Sequence, residues 1–505
     1  MRENRTCSLG GGRRPACKRA SSDPTAMKPA NKAGQPAAEW VEPRAGTKGN
    51  TGQPRTRRTQ SRDSVSQGLD RVRQVARQRK KEKFTALLHH VTVDLLRDAF
   101  LALKRRAAPG VDGVTWQDYE ASLEGNLVDL HDRVHRGAYR ALPVRRRFIP
   151  KPGTDKQRPL GIAALEDKIV QRALVAVLNA VYEEDFLGFS YGFRPGRGQH
   201  DAMDALAVAI GDTPVNWILD ADIRSFFDSV SQEWLVRFLE HRVGDERVIR
   251  LVRKWLKAGV LDEGQWSVSE EGTPQGAVIS PLLANVYLHY VFDLWAHQWR
   301  RREAKGHVVV VRYADDIVVG FQHEADARQF WDAMRTRFEQ FGLELHGEKT
   351  RLLEFGRHAA ERRKQRGLGK PETFTFLGFT FISGKSRRGA FQLQRKSRRD
   401  RMRAKLREVK EQLRQRMHEA IPKQGQWLKA VVGGYFAYHA VPTNGRSLLS
   451  FRYHVTKLWH RTLCRRSQTA HLTWERMAKL AAAWLPPPRI LHPWPSVRFA
   501  VTHPR

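Results

Sequence analysis

Three aspartates stand where apolar runs of the chain break. In His307–Phe321, HVVVVRYADDIVVGF, four consecutive valines and a second apolar run flank Asp315 and Asp316. The pattern predicts a buried β-hairpin whose tip carries two adjacent acids. Carboxylates so placed repel one another, and a divalent cation relieves that cost; acids that merely solvate a turn are the alternative. In Trp217–Val230, WILDADIRSFFDSV, an apolar strand ends at Asp222 and turns into a helix. From the strand's end Asp222 can meet Asp315 and Asp316 across a sheet. Asp220 and Asp228 are rival acids, but alternation from Trp217 puts Asp222 near the strand end and Asp228 on the following turn or helix. Three carboxylates suffice for two Mg²⁺ ions when substrate phosphates supply the remaining oxygens. In that chemistry one ion acidifies a primer 3′-hydroxyl for attack on an α-phosphate, and the other stabilises departing pyrophosphate.

Other residues are spaced to serve such a site. Phe227 follows Asp222 by five positions; a ring there would lie under the sugar of an incoming nucleotide and exclude a 2′-hydroxyl, selecting dNTPs. Core packing of Phe226 or Phe227 is the competing reading. In Phe148–Ile162, FIPKPGTDKQRPLGI, Lys151 and Arg158 lie across an expected hairpin, placed to grip triphosphate oxygens. In Thr273–His289, TPQGAVISPLLANVYLH, Gln275 and Gly276 permit close backbone approach to a base pair, and Ser280-Pro281 opens a helix. Lys349 follows a Gly-containing turn, and FTFLGFTF, Phe374–Phe381, reads as a short hairpin beside the primer.

The elements that must position these groups follow from composition and period. Residues 1–66 are rich in Gly, Pro, Ser, Thr and Arg and bury little, so they are expected to be a disordered basic segment, with Met27 an alternative start. Helical spacing begins near Ser64, and Thr92 is placed to cap a helix burying Val93, Leu96, Phe100 and Leu103. Ala108–Thr115, APGVDGVT, is a Gly-punctuated turn. From Tyr139 to Phe381 short strands alternate with helices; beyond about Arg395 long helical patterns take over. The expected helices there are Lys396–Glu419, Trp427–Tyr438, Leu448–Arg461 and Trp474–Trp484, ended by a Pro-rich stretch.

Charge narrows the partner. The 505 residues carry 89 Lys+Arg against 53 Asp+Glu, a formal +36, which a polyanion would neutralise. The helix from Lys396 is heavily basic, and Arg398, Arg399, Arg401 and Arg403 are candidates to meet RNA or RNA–DNA phosphates, against the reading of a solvated charged face. Trp427, Tyr435, Phe436 and Trp459 recur at helical spacing and read as core rather than as stacking platforms. Cys7, Cys17 and Cys464 form no ligand-spaced pair, which argues against a disulfide framework or structural zinc and fits a cytoplasmic protein. Apolar runs such as Ala173–Tyr182 are too short to cross a bilayer, so no membrane partner is expected.

The ordered series RPLGI, YGFRPGR, DIRSFFD, TPQGAVISPLL, YADD, the Lys349 segment and FLGF resembles the motif series of reverse transcriptases. APGVDGVT, GGYFAYHAVPTN and FRYHVTKLWHRTLCRRSQ further resemble bacterial group II intron-encoded proteins. The likeness runs over roughly residues 64–505. It implies an α+β right-hand polymerase: an N-terminal helical extension over 67–138, fingers and palm with an antiparallel sheet over 139–381, an α-helical thumb or maturase domain X over 395–485, and a short tail over 486–505. It implies two Mg²⁺ ions on Asp222, Asp315 and Asp316, Phe227 as sugar gate, Gln275 at the nascent pair, Lys151 and Arg158 on phosphates, and Lys349 as proton donor to pyrophosphate. The implied partners are group II intron RNA, an RNA template with DNA primer, target DNA and dNTPs, with splicing assistance and retrohoming as the function in a bacterial cytoplasm. Many relatives continue into a metal-dependent endonuclease with paired cysteines; this chain reads as the endonuclease-lacking type, relying on a pre-existing 3′ end. A splicing-only maturase, a retron-type enzyme and a viral-type RNA polymerase are the rivals. The intact carboxylates oppose the first, the N-terminal element and the C-terminal helices the second, and Phe227 the third.

Overall fold

The computed structural model describes residues 55–150, 157–262, 264–267, 271–273, 276–466 and 472–502. Residues 1–54, Lys151 and Gln275 lie outside the described residues, and at Arg158 the backbone alone is described. Helices α1 (Arg55–Gln78), α2 (Val93–Leu101), α3 (Trp116–Glu120) and α4 (Leu123–His135) come first. Helix α1 corrects the expectation of disorder through residue 66. No Gly or Pro interrupts residues 55–67, and once Leu69, Val72 and Ala76 dock, the helix propagates through polar residues at little cost. Arg242 fixes its end: the guanidinium donates to the carbonyls of Ala76, Arg79 and Glu82 and pairs with Asp185 at 2.8 Å. Thr92 caps α2 through the Leu95 N–H.

Strands β1 (Val144–Pro150) and β2 (Gln157–Ile162) form an antiparallel hairpin that sets Ile149 opposite Arg158. The APGVDGVT turn packs beneath it. Arg145 and Lys168 donate to the carbonyls of Pro109 and Ala108, and any side chain at Gly110 would overlap the backbone of Ala164. Helices α5 (Leu165–Asp185) and α6 (Gln199–Asp212) lead to β3 (Trp217–Asp222), followed by α7 (Phe226–Ser229), α8 (Gln232–Glu240) and α9 (Glu246–Lys257). Strands β4 (Val260–Asp262) and β5 (Gln265–Ser267) complete a first sheet of order β2-β1-β4-β5.

Next come α10 (Ser280–Leu288), a π-helical turn over His289–Asp293, α11 (Leu294–Arg302), β6 (Val308–Tyr313), β7 (Asp316–Phe321), α12 (Glu324–Glu339) and β8 (Arg351–Glu354). The central sheet has the order β6-β7-β3-β8 and is antiparallel throughout. Its strands read as continuous apolar runs because both faces are covered. Leu219, Ala221, Val310, Ile317 and Val319 enter one core with α5 and α10, whereas Ile218, Val311, Val318 and Leu353 enter another with α6.

Helix α13 (Ala359–Gln365) precedes a three-stranded sheet of β9 (Phe374–Phe376), β10 (Phe379–Lys385) and β11 (Phe391–Ser397). Leu377 and Gly378, with φ of 46° and 81°, make the two-residue turn of the expected FLGF hairpin. Strand β11 pairs with β10 all the way to Ser397. It therefore takes Lys396 and Ser397 out of the expected basic helix, and α14 runs Arg399–Gln415. Helices α15 (Ile421–His439), α16 (Gly445–Cys464) and α17 (Trp474–Trp484) join it around a core of Leu413, Leu428, Val432, Tyr435, Phe436, Phe451 and Trp459. The expected C-terminal tail is not featureless. It contains α18 (Pro495–Thr502), and Arg498 pairs with Asp201 of α6 at 2.9 Å. Among the described residues no helix is long and apolar enough to cross a membrane.

Trp459 is fully buried, and its indole N–H donates to Gln424 Oε1 at 2.9 Å. Replacing it with Ala leaves a large cavity among the C-terminal helices. Trp459→Ala is expected to destabilise that bundle by about 3–5 kcal/mol. Urea titration followed by far-UV circular dichroism measures this, and a loss below about 1 kcal/mol would contradict the packing.

Candidate active site

The register of β3 and β7 sets Asp222 directly opposite Asp316, with Tyr313 opposite Asp316 on the other side. Residues so paired point to the same face, with Cβ atoms about 5 Å apart. Asp315 completes the turn between β6 and β7, and Ala314 in that turn adopts a left-handed conformation, φ 56°. Asp222 and Asp316 are therefore opposed where the two inner strands of the central sheet end, with Asp315 next to them in the turn. Asp220 lies on the same face one pair further in, opposite Val318, whereas Asp228 falls on α7.

Electrostatics distinguish these acids. The Asp316 carboxyl is pushed up to about 7, by surrounding protein first and then by the negative charges of Asp315, Asp222 and Asp220, with Arg401 opposing. Its side chain is open to solvent, so the mutual repulsion deserves more weight than the desolvation. Burial, aided by Asp222, raises Asp220 to about 6 against the pull of Arg351. A hard, oxygen-only donor set crowded with like charge fits Mg²⁺, which takes one or two carboxylates and completes its shell with waters and substrate phosphates. Among the described residues no three His, Cys, Asp or Glu side chains are grouped closely enough to hold an ion by themselves.

Lys349 is brought to the same place. The segment before it lies along the end of β3: Ile223 bridges Leu345, Arg224 N–H donates to Glu344 O, and His346 N–H donates to Asp222 O at 2.8 Å. Lys349 Nζ then reaches Asp222 Oδ2 at 2.6 Å while 61% exposed. Phe226 is buried at 2% exposure, whereas Phe227 is half-buried, its carbonyl accepting from Thr273 N–H at 2.8 Å. Of the two rings, Phe227 is the one that reaches the surface.

The four candidate arginines separate, with Arg399 exposed at the start of α14. Arg401 faces the sheet, close enough to Asp316, Tyr438 and His439 to act on their charge states. Arg398 forms an ion pair with Asp400 at 2.5 Å and also acts on Asp220. Arg403 instead joins Arg407, Lys410, Lys457 and Arg461 along a cleft between α14 and α16 floored by Leu406 and Leu458. The face of α14 thus divides between the carboxylates and an open basic cleft, a division that charge counting along the chain does not reveal.

Sequence reasoning also passed over Gly192 and Arg312. Gly192 of the YGFRPGR segment touches the backbone of Tyr313 and Ala314, where any side chain would overlap Ala314 N. Arg312 is completely buried beneath the same turn. A cation inside the run VVVVRY was the available signal.

Residues 149–381 match the family model described as "Reverse transcriptase (RNA-dependent DNA polymerase)". Protein YkfC of Escherichia coli is 34% identical over 57% of this chain and 80% of its own length. The group II intron-encoded protein LtrA of Lactococcus lactis subsp. cremoris is 32% identical over 44% of this chain. The mitochondrial nuclear intron maturase 3 of Arabidopsis thaliana is 31% identical over 24%. This chain belongs to the reverse transcriptase family, and its relatives include group II intron-encoded proteins and intron maturases. The matched segments span 37% of LtrA and 17% of the Arabidopsis maturase. A right-hand polymerase fold, with mixed helices and antiparallel sheets, follows from that membership.

Gly192→Ala is expected to displace the Ala314 turn and lower the rate of primer extension at least about tenfold, because small misplacements of reacting groups are costly. Single-turnover extension, with circular dichroism as the folding control, measures it. Native rates would show that the turn tolerates the added methyl group.

Proposed function

We propose that this chain copies an RNA template into DNA where β3 and β7 end, and that it does so for a group II intron whose RNA it binds, whose splicing it assists and which it reverse transcribes during retrohoming. The observation that carries the reading is the pairing of Asp222 with Asp316 beside Asp315, inside the segment that matches reverse transcriptases. On this reading residues near 145–381 are fingers and palm, and α14–α17 are the thumb.

Two Mg²⁺ ions held by Asp222, Asp315 and Asp316 would supply positive charge to the attacking and leaving oxygens of nucleotidyl transfer. The chain's own residues do the rest. The β3–β7 register holds the acids in a fixed geometry. Lys349, within reach of Asp222, would give its proton to the leaving pyrophosphate. Lys151 and Arg158 would grip the triphosphate and Gln275 would lie at the nascent pair, as the motif resemblance implies. The half-buried Phe227 ring would exclude a 2′-hydroxyl from the incoming sugar. Arg398, Arg399, Arg401 and Arg403, with the basic cleft beside Arg403, would take RNA phosphates. Target DNA would enter as the strand that supplies or receives the 3′ end.

Asp315→Ala/Asp316→Ala is expected to abolish primer extension with Mg²⁺ and to leave RNA affinity within about twofold, because the phosphate contacts lie elsewhere. Extension and filter-binding assays on one preparation read both. Extension by the double variant would sink the polymerase assignment. A native protein that binds intron RNA without extending any primer would leave a splicing-only role.

The sugar gate tests the kind of polymerase. Phe227→Ala is expected to raise ribonucleotide over deoxyribonucleotide incorporation at least about tenfold, on the order of 1.4 kcal/mol in differential transition-state binding. Single-nucleotide extension with matched rNTP and dNTP on an RNA template measures this. Unchanged selectivity with retained activity would move the gate elsewhere.

A further inference from the structure

Beneath the turn that carries Asp315 and Asp316 lies a guanidinium with every donor engaged. Arg312 is 0% exposed. Its Nε and Nη2 donate to the two oxygens of Asp293 at 2.7 and 2.6 Å. Its Nη1 donates to Asn285 Oδ1 at 3.0 Å and to the Ala314 carbonyl at 3.1 Å, and Nη2 also donates to Ser190 Oγ at 2.7 Å. An arginine carries five N–H groups, and all five are used here.

Each partner comes from a different element that approaches the turn. Asp293 ends the π-helical turn after α10, an irregularity that recurs at functional sites. Asn285 lies on α10 and donates onward to Gly192 O at 2.7 Å. Ser190 belongs to the segment that pairs with β6, where Tyr191 N–H donates to Arg312 O and Arg312 N–H to Phe189 O, both at 2.9 Å. The same segment sets Gly192 against Ala314. The network therefore clamps the Ala314 peptide from below and from the side, and Ala314 is the left-handed residue that separates Tyr313 from the two aspartates.

We propose that Arg312 is a positioning residue of the polymerase site. Through its bond to the Ala314 carbonyl and its pairing with Asp293, it sets the turn that aims Asp315 and Asp316 at the metal ions. A buried ion pair is weak evidence for stability, because well-packed apolar residues of the same volume often replace it without loss. Five donors converging on one turn point instead to geometry. The inference rests on the reading of Asp222, Asp315 and Asp316 as metal ligands.

Two variants separate position from stability. Arg312→Lys keeps the charge and loses the planar fork; Arg312→Met/Asp293→Leu removes both charges and keeps the volume. Thermal melting, Mn²⁺ binding to the free protein by electron paramagnetic resonance, and single-nucleotide extension are measured on each. The double variant is expected to melt near the native temperature, yet to bind Mn²⁺ about tenfold more weakly and to lose about tenfold in kcat with KM for dNTP little changed. Folded variants with native Mn²⁺ affinity and native kcat would overturn the proposal. Should the double variant melt early, Arg312→Lys carries the comparison, and native Mn²⁺ affinity and kcat there overturn the proposal equally. If the native protein extends no primer, the polymerase reading fails while the Mn²⁺ comparison still reports on the clamp.

Discussion

Like charges gathered at the meeting of β3 and β7 set the terms for the surrounding structure. Two carboxylates whose Cβ atoms stand about 5 Å apart repel each other, and Asp315 and Asp220 add to the load. The strands that carry them bury Ile218, Leu219, Val310, Val311, Ile317, Val318 and Val319, each contributing about 1.5–3 kcal/mol by leaving water. Burial wins by a wide margin, but only because the sheet is covered on both faces. An edge that was apolar on one face alone would have less to set against the repulsion. Part of the load is also met locally, since Lys349 lies on Asp222 and Arg401 acts on Asp316.

Holding the acids in place also costs backbone strain. Ala314, Ser225 and Phe193 all have positive φ, at 56°, 46° and 58°, and each conformation costs a non-glycine residue about 1–2 kcal/mol. They cluster around the carboxylates. Ala314 precedes Asp315, Ser225 turns the chain from Asp222 toward Phe227, and Phe193 follows the glycine that touches Ala314. Strain of this kind persists where neighbours over-determine the backbone, as the Arg312 network does for Ala314.

What was legible in the sequence was local. The carboxylates, the hairpin around YADD, the Leu377-Gly378 turn and the Thr92 cap each depend on residues within a few positions of one another. The misreadings have partners far along the chain. Strand β11 consumes Lys396 and Ser397 because Phe379–Lys385 offers a full ladder to pair with. Residues 55–66 continue a helix that is anchored by Arg242 and by core contacts further along α1. Arg401, though exposed, acts on Asp316 because α14 starts beside the FLGF turn. Arg312 was passed over because its partners, Asp293, Asn285 and Ser190, lie 19, 27 and 122 residues away.

The C-terminal segment extends the same logic to the coupling between the helical bundle and the central sheet. Tyr438 of α15 donates to Leu377 O at 2.7 Å, at the tip of the β9–β10 hairpin. Leu491 and His492 N–H groups both donate to Ala440 O, and the His492 ring stacks on His200 of α6 at 4.1 Å. Arg498 then reaches Asp201 and Asp204, and Asp204 is already paired with the buried Arg395 of β11 at 2.6 Å. Helix α6 packs on the face of the central sheet that carries Ile218 and Val318, so it meets the sheet on one side and the last helix on the other. Burial holds the His200 imidazole at about 3, far below its usual value, so the ring is neutral near pH 7 and stacks without charge. The bundle is thus not tethered by a single linker. Three chain segments, at Ser397, Tyr438 and Arg498, close onto the sheet side, and a tilt of α14 that moved Arg401 relative to Asp316 would have to work against all three.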